Sequence, residues 1–423
     1  MSDSCLTMTI QSFINVSPDS HFPIQNLPYG IFSPPTGGAP RVGVAIGDWV
    51  LDLARLQAAG LFAGMMVEPP DFATSSLNAF MDGGTAVWQA TRQTVQTLLR
   101  RDNPTLRDDA QLRRQAFWPL ADVTLHLPAQ IGDYTDFYSS IEHASNVGRI
   151  FGRDVPLLEN WRHLPVGYHG RASSVVNSGA PIHRPSGQWA PRGTAVPHFG
   201  PTQELDFELE MGFFIGPGNA LGQPVPIAQA EAHIFGLALV NDWSARDIQR
   251  WEYRPLGPFL AKNFATSISP WVVPLAALAP FRVPGPAQEP SPLPYLQADW
   301  PGAFDIYLEV QLQTAVMHEP VTISHSNFRH LYWSMAQQLA HHTITGCNLR
   351  PGDLLASGTI SGSTSDSCGS LLELAWNGSR PIVLPSGETR AFLQDGDRLT
   401  LTGWCQGDGY RVGFGAVTGV VVA

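Results

Sequence analysis

From Leu205 to Met211 the chain alternates apolar residues with Asp206, Glu208 and Glu210. A period of two fits a strand with one apolar and one polar side, and does not fit a helix. Side chains two apart on a strand stand roughly 7 Å from each other, so two glutamates there can converge on one point. Carboxylates placed that way repel unless a cation or protons lie between them. A second apolar run, Ile234 to Val240, predicts a strand that ends at Asn241-Asp242-Trp243. Beyond it Arg246, Gln249 and Tyr253 fall at i, i+3 and i+7, one face of a helix, and the stretch closes on Lys262. An acid-bearing strand, a further acid at a strand end and a polar helix face point to a metal-centred active site.

The rest of the chain is β-rich with some helix. Val42, Val44 and Ile46 alternate up to Gly47-Asp48, and Trp49, Leu51 and Leu53 alternate after it, which predicts a hairpin. Thr85 to Arg101 carries Val87, Thr91, Val95 and Leu98 at helical spacing. Nothing before residue 130 gathers polar groups for chemistry. A change of character near Leu127-Pro128 divides the chain into 1–125 and 126–423.

From Asp133 to Ser174 aromatic and ionisable residues crowd together, among them Asp136, Tyr138, His143, Arg153 and Tyr168. Loops that carry such side chains on a rigid scaffold commonly bind ligands. His143 stands out from the other histidines through these neighbours. Six prolines between Pro280 and Pro294 mark a surface excursion. Phe304 to Leu312 predicts a strand, Phe328 to His342 an amphipathic helix, and Leu399 to Val422 more β structure. The small-residue loop from Ser357 to Gly362 precedes Leu371-Leu372-Glu373-Leu374. Glu373 there is either partnered in the interior, since a lone buried carboxylate is costly, or on an edge strand facing water.

Composition narrows the function. A net charge of −11 argues against a nucleic-acid partner, which needs a basic face. No apolar run approaches the roughly 20 residues of a membrane span. Cys5, Cys347, Cys368 and Cys405 lie far apart with no Cys-x-x-Cys pair, which fits a reducing cytoplasm and neither zinc nor a disulfide framework. The opening residues carry no secretory pattern. Of 25 basic residues, Lys262 is the only lysine. Either composition drifted to arginine, or position 262 needs a compact ammonium where a planar guanidinium fails.

Several longer segments resemble the fumarylacetoacetase family. They are Asp133 to Ser140, His163 to Ser174, Leu205 to Met211, Asn241 to Gln249, Pro255 to Leu260, Leu354 to Gly362 and Cys405 to Arg411. The likeness runs from about Phe13 to the end, Phe22 to Gly30 included. It implies a small SH3-like N-terminal barrel and a large mixed β-sandwich roll as catalytic domain, assembled as a homodimer. It also implies hydrolysis of 4-fumarylacetoacetate to fumarate and acetoacetate, the last step of tyrosine and phenylalanine breakdown.

The resemblance further assigns roles. Asp136, Glu208, Glu210 and Asp242 would hold Ca²⁺, and Asp242, Lys262 and Thr266 would mark a neighbouring Mg²⁺ site. A lysine head cannot ligate a cation, so Lys262 would serve through its carbonyl or elsewhere. His143 matches the general base and Glu373 its orienting carboxylate. Arg246, Gln249 and Lys262 match the oxyanion-stabilising group, and Tyr138, Tyr168, Gln249, Tyr253 and Thr359 the substrate contacts. Asp206 has no role in this pattern. Three positions depart from it: Gly152 stands where a substrate arginine is usual, with Arg153 next in a loop one residue shorter; Ile141-Glu142 replaces a more basic, amide-bearing pair; and Asn263 replaces a serine. Rival readings are a decarboxylase, isomerase or hydratase of the wider superfamily acting on a related keto acid, and a non-catalytic dimeric metal-binding protein.

Overall fold

A computed structural model describes residues 10–191 and 193–423. Cys5 and most of the segment before Phe13 lie outside them. The chain is mixed α and β, mostly strands, arranged around one eight-stranded sheet. The antiparallel strands Leu209–Ile215 and Ile234–Asp242 are its centre, with Leu209 opposite Asn241 and Glu210 opposite Val240. On one flank lie Leu354–Ala356, Tyr134–Phe137 and Gly167–Gly170; on the other lie Thr266–Ile268 and Val175–Asn177, and the short Val273–Pro274 also pairs with Ile234–Asp242. The pairs Leu354–Ala356 with Tyr134–Phe137 and Thr266–Ile268 with Val175–Asn177 run parallel, so the sheet is mixed.

Both faces of this sheet are covered. Leu209, Met211, Phe213, Leu237 and Leu239 pack with Leu308, Val310, Leu399, Leu401 and Phe414 of a second, five-stranded sheet. Phe214, Phe235 and Val240 point the other way and share a core with Tyr29, Ile31, Phe80 and Val95. Those residues belong to an N-terminal, SH3-like antiparallel sheet ordered Phe117–Pro119, Trp49–Asp52, Arg41–Ile46, Tyr29–Ser33, Thr124–His126, and to the helices beside it. Burying one large apolar side chain is worth about 1.5–3 kcal/mol, so two cores clamp the central strands from opposite sides. Tyr29 and Val272 also exchange two backbone hydrogen bonds, of 3.0 and 2.8 Å.

The hairpin at Arg41–Asp52 and the helix at Gly84–Leu99 form as the sequence predicts. Three expectations need correction. The Leu205–Met211 stretch is not one strand: Leu205–Asp206 pairs with Ser244–Ala245, and pairing resumes at Leu209 on a different partner. The break arises because the Phe207 N–H turns onto the Asp206 carboxylate at 2.8 Å. Asp206, Glu208 and Glu210 are all buried. The helix expected over 328–342 starts only at Met335. A capping box fixes that start, with Ser334 Oγ accepting from Gln337 N–H and the Gln337 side chain accepting from Ser334 N–H. The strand expected over 304–312 is interrupted between Phe304 and Tyr307. Among the described residues no helix is long and apolar enough to cross a membrane.

Candidate active site

The centre of the sheet delivers four acids to one place. Asp136 sits on Tyr134–Phe137 beside Ala356 and Tyr168, Glu210 on Leu209–Ile215, and Asp242 ends Ile234–Asp242. Glu208 occupies the break just before Leu209. Its N–H is held by Asn241 Oδ1 at 3.1 Å, and its carbonyl accepts from Asp242 N–H at 3.2 Å. One carboxylate oxygen from each of Asp136, Glu208, Glu210 and Asp242 lies within 4.8 Å of the others, and all four residues are buried.

The four acids are not equivalent. Lys262 Nζ donates to Glu208 Oε2 and, at 2.7 Å, to Asp242 Oδ2. Arg246 donates from Nη1 to Glu208 Oε1 at 2.7 Å. Burial pushes the Glu208 carboxyl up, but these two cations outweigh it and hold the group well below the usual range. Asp242 also accepts from Tyr168 Oη and Thr266 Oγ1, each at 2.9 Å. By contrast Asp136 Oδ1 and Glu210 Oε1 are buried with no hydrogen-bond partner. Burial first, and then the neighbouring Asp242, drives Asp136 well above the carboxylate range; burial, Asp136 and Asp242 do the same to Glu210.

Buried carboxylate oxygens without partners, on two of four gathered acids, are what an oxygen-seeking divalent ion would satisfy, so the donor set fits a Ca²⁺-like cation. The expected second site at Asp242, Lys262 and Thr266 offers no such orphan. Both Asp242 oxygens are already engaged there, one of them by the Lys262 ammonium itself.

Next to this cluster lies a histidine–carboxylate pair. His143 stands in the first turn of Ile141–Ile150, a helix started by Ser140 Oγ, which accepts the His143 N–H at 3.3 Å. Glu142 in its first turn and Arg149 in its last suit the helix dipole. At Gly148 any side chain would strike the Pro156 carbonyl at 2.0 Å, so the loop carrying Arg153 folds tightly back there. His143 Nδ1 meets Glu373 Oε2 at 2.6 Å, with both side chains buried. Glu373 lies in the short helix Leu371–Leu374, not on an edge strand. Asn146 Nδ2 donates to its Oε1, and Ser361 Oγ and Ser370 Oγ donate to its Oε2, each at 2.9 Å. Burial raises the Glu373 carboxyl, but His143 and these donors bring it below its ordinary value. An ionised carboxylate only accepts, so the Nδ1 proton is fixed toward Glu373 and Nε2 keeps its lone pair.

The other expected residues divide into two groups. Tyr138 meets the edge of His143 with centroids 5.2 Å apart. Thr359 is buried with Oγ1 unpartnered, brought in by Gly358, whose φ of +78° and contact with the Phe137 carbonyl require a glycine. The Gly358 N–H also donates to Glu210 Oε2 at 3.2 Å. Gln249 accepts from Arg246 Nη1 at 3.2 Å. Arg153 and Tyr253 stand further out. The charge of Arg153 reaches Tyr138, while the Tyr253 ring lies under Arg254 at 5.1 Å. Sequence reasoning missed Asn146, Ser361 and Ser370 around Glu373, and it gave Asp206 no role although Asp206 accepts from Arg246 Nε at 2.9 Å. The polar small-residue loop ahead of Glu373 was the available signal for Ser361.

Comparison with known proteins places the chain in a family. Residues 134–422 match the family model described as fumarylacetoacetate (FAA) hydrolase C-terminal, and residues 25–128 the one described as fumarylacetoacetase N-terminal. The chain is 58% identical over 414 residues to the fumarylacetoacetase of Rattus norvegicus, covering 97% of this chain and 98% of that protein. It is 54% identical over 415 residues to the fumarylacetoacetase of Arabidopsis thaliana, covering 98% of each. Among solved structures, a fumarylacetoacetate hydrolase from the psychrophilic Exiguobacterium antarcticum matches with a TM-score of 0.53 at 17% identity. That match covers 94% of this chain and 99% of that one, and it is a likeness of fold.

Proposed function

Because the chain belongs to the fumarylacetoacetate hydrolase family, we propose that it hydrolyses a carbon–carbon bond of 4-fumarylacetoacetate to give fumarate and acetoacetate. This is the closing step of tyrosine and phenylalanine catabolism. The observation that carries the proposal is the meeting of four buried acids with the His143–Glu373 pair and the cations of Arg246 and Lys262.

His143 takes a proton from water through Nε2, and Glu373 holds the ring and stabilises the imidazolium that results. The hydroxide adds to the carbonyl beside the bond to be cut. Arg246, Gln249 and Lys262 are the donors for the alkoxide that develops, acting in a buried site where such donors count most. The Arg246 Nη2 group is buried without a partner, which supports that aim. When the alkoxide collapses, the carbon–carbon bond breaks and its electron pair leaves on the acetoacetate carbon as an enolate. The His143 imidazolium returns the proton to that carbon. Asp136, Glu208, Glu210 and Asp242 would hold the divalent ion, for which we propose Ca²⁺, and it would polarise a substrate carbonyl and anchor the dicarbonyl. A Mg²⁺ beside Asp242, Lys262 and Thr266 is supported by the family resemblance alone. Tyr138, Arg153, Tyr168, Tyr253 and Thr359 are assigned to substrate contacts.

The same resemblance supports a homodimer and a division into an N-terminal unit at 1–125 and a catalytic unit at 126–423, and the scattered cysteines support a cytoplasmic location. Purified protein given 4-fumarylacetoacetate should remove the diketone's ultraviolet absorbance while fumarate and acetoacetate accumulate in equal amounts. Loss of absorbance without fumarate would identify a different superfamily reaction.

A further inference from the structure

Asp206 is fully buried and sits outside the four-acid cluster. Both of its oxygens are used twice. Oδ1 accepts from the N–H of Phe207 at 2.8 Å and of Leu371 at 2.7 Å. Oδ2 accepts from the N–H of Leu372 and from Arg246 Nε, each at 2.9 Å. Leu371 and Leu372 directly precede Glu373, the partner of His143. Arg246, in turn, reaches Glu208 of the acid cluster through Nη1. A single carboxylate therefore touches the segment that aims the base and the guanidinium that faces the acids.

We infer that Asp206 is a positioning residue that fixes the spacing between the charge-stabilising side of the site and its base. This deepens the hydrolase reading and rests on it. Nucleophilic attack needs the water at His143 and the donors at Arg246 to address the same carbonyl, so their spacing enters the transition state more than substrate binding. Two segments 125 residues apart in sequence, at Arg246 and Leu371, hold that spacing through bonds to one rigid group. Chemistry favours a carboxylate there, because its two oxygens offer about four acceptor positions. An amide of the same shape has a single acceptor oxygen and an NH₂. Its oxygen can serve Phe207 and Leu371, or Leu372 and Arg246, and its NH₂ then faces the other pair with a donor against donors.

The test is Asp206→Asn, nearly isosteric. Its folded state is checked by thermal unfolding, and its affinity for Ca²⁺ by titration calorimetry on the full chain. The expected result is a cooperative transition and a Ca²⁺ affinity within about twofold of the parent. With them, kcat should fall about 100-fold while KM changes less than about threefold, since misplacement by about 1 Å is enough for such a loss. In the Arg246→Ala background the same substitution should cost less than about tenfold, because one of the two joined parts is already gone. Should the Asn protein not fold, Asp206→Glu keeps the charge and both oxygens but moves them by one methylene, and it should show the same fall in kcat at steady KM. Full kcat in either folded variant overturns the inference, as do strictly additive losses in the double variant. Failure of the hydrolase reading is distinguishable, because the unaltered protein would then release no fumarate.

Discussion

The two halves of the site differ in how far the protein alone completes them. Around Glu373 both carboxylate oxygens are satisfied by His143, Asn146, Ser361 and Ser370. Asp136 and Glu210 each keep a buried oxygen without a partner, and both groups are pushed toward the protonated form. Between the halves, Glu208 and Asp242 already carry Lys262, and Arg246 binds Glu208 from the other side. The base half is thus organised in advance, whereas the acid half becomes complete only when a positive charge enters. In the proposed mechanism the contrast separates two jobs: proton transfer falls to a pre-built pair, and holding the substrate's oxygens to a cluster that a cation would finish.

The contrast is open to attack first at His143. His143→Ala should lower turnover by about 10⁴-fold, near the upper end for a lost general base, while Ca²⁺ binding measured by calorimetry stays as in the parent. A variant that keeps full activity removes His143 from the role of base. Glu373→Gln comes next. It leaves a donor or a neutral acceptor facing His143 Nδ1, so the tautomer is no longer fixed, and kcat should fall about 10³-fold with cation binding intact. A simultaneous loss of cation affinity would show that the halves are not separate.

On the other side, Glu210→Gln removes the carboxylate that Glu210 would present to the ion, and the Oε1 of that group has no protein partner. It should weaken Ca²⁺ affinity about 100-fold while costing little thermal stability in the absence of the ion, because a buried unpartnered carboxylate does not stabilise the fold. A large drop in the unfolding temperature of the cation-free protein would contradict that. The smallest effect concerns protons. Asp136 and Glu210 titrate well above the ordinary carboxylate range, burial being the first cause in each. They therefore hold protons in the cation-free protein that binding must expel, so cation affinity rises with pH. Calorimetry in buffers of different ionisation heat should report net proton release. Proton uptake, or tighter binding in acid, would refute this.

Much of the acid half was legible in the sequence because its residues lie close along the chain. Period two placed Glu208 and Glu210 together, and Asp242 stood at the end of a readable strand. Periodicity does not reveal where a strand changes partners, however. The break at Phe207 takes Asp206 out of the row of acids and turns it toward Arg246 and Leu371, so a residue left without a role proves to be the most heavily bonded of the three. The base half was less legible by pattern. Its closing contacts span large separations, 230 residues for His143–Glu373 and 227 for Asn146–Glu373. Glu373 sits in one short helical turn started by Ser370, too short for a periodic signal, and the resemblance to a known family identified it where spacing could not. The N-terminal hairpin and helix followed from turn residues and alternation, which are local properties, whereas the SH3-like form came from the resemblance.

The contrast between the halves is tested most directly by fumarate release from protein stripped of divalent ions with a chelator, then given 4-fumarylacetoacetate before and after Ca²⁺ is restored. The account expects negligible fumarate from the stripped protein and, once the ion returns, one fumarate for each diketone consumed. Fumarate appearing at the full rate without the ion would contradict it.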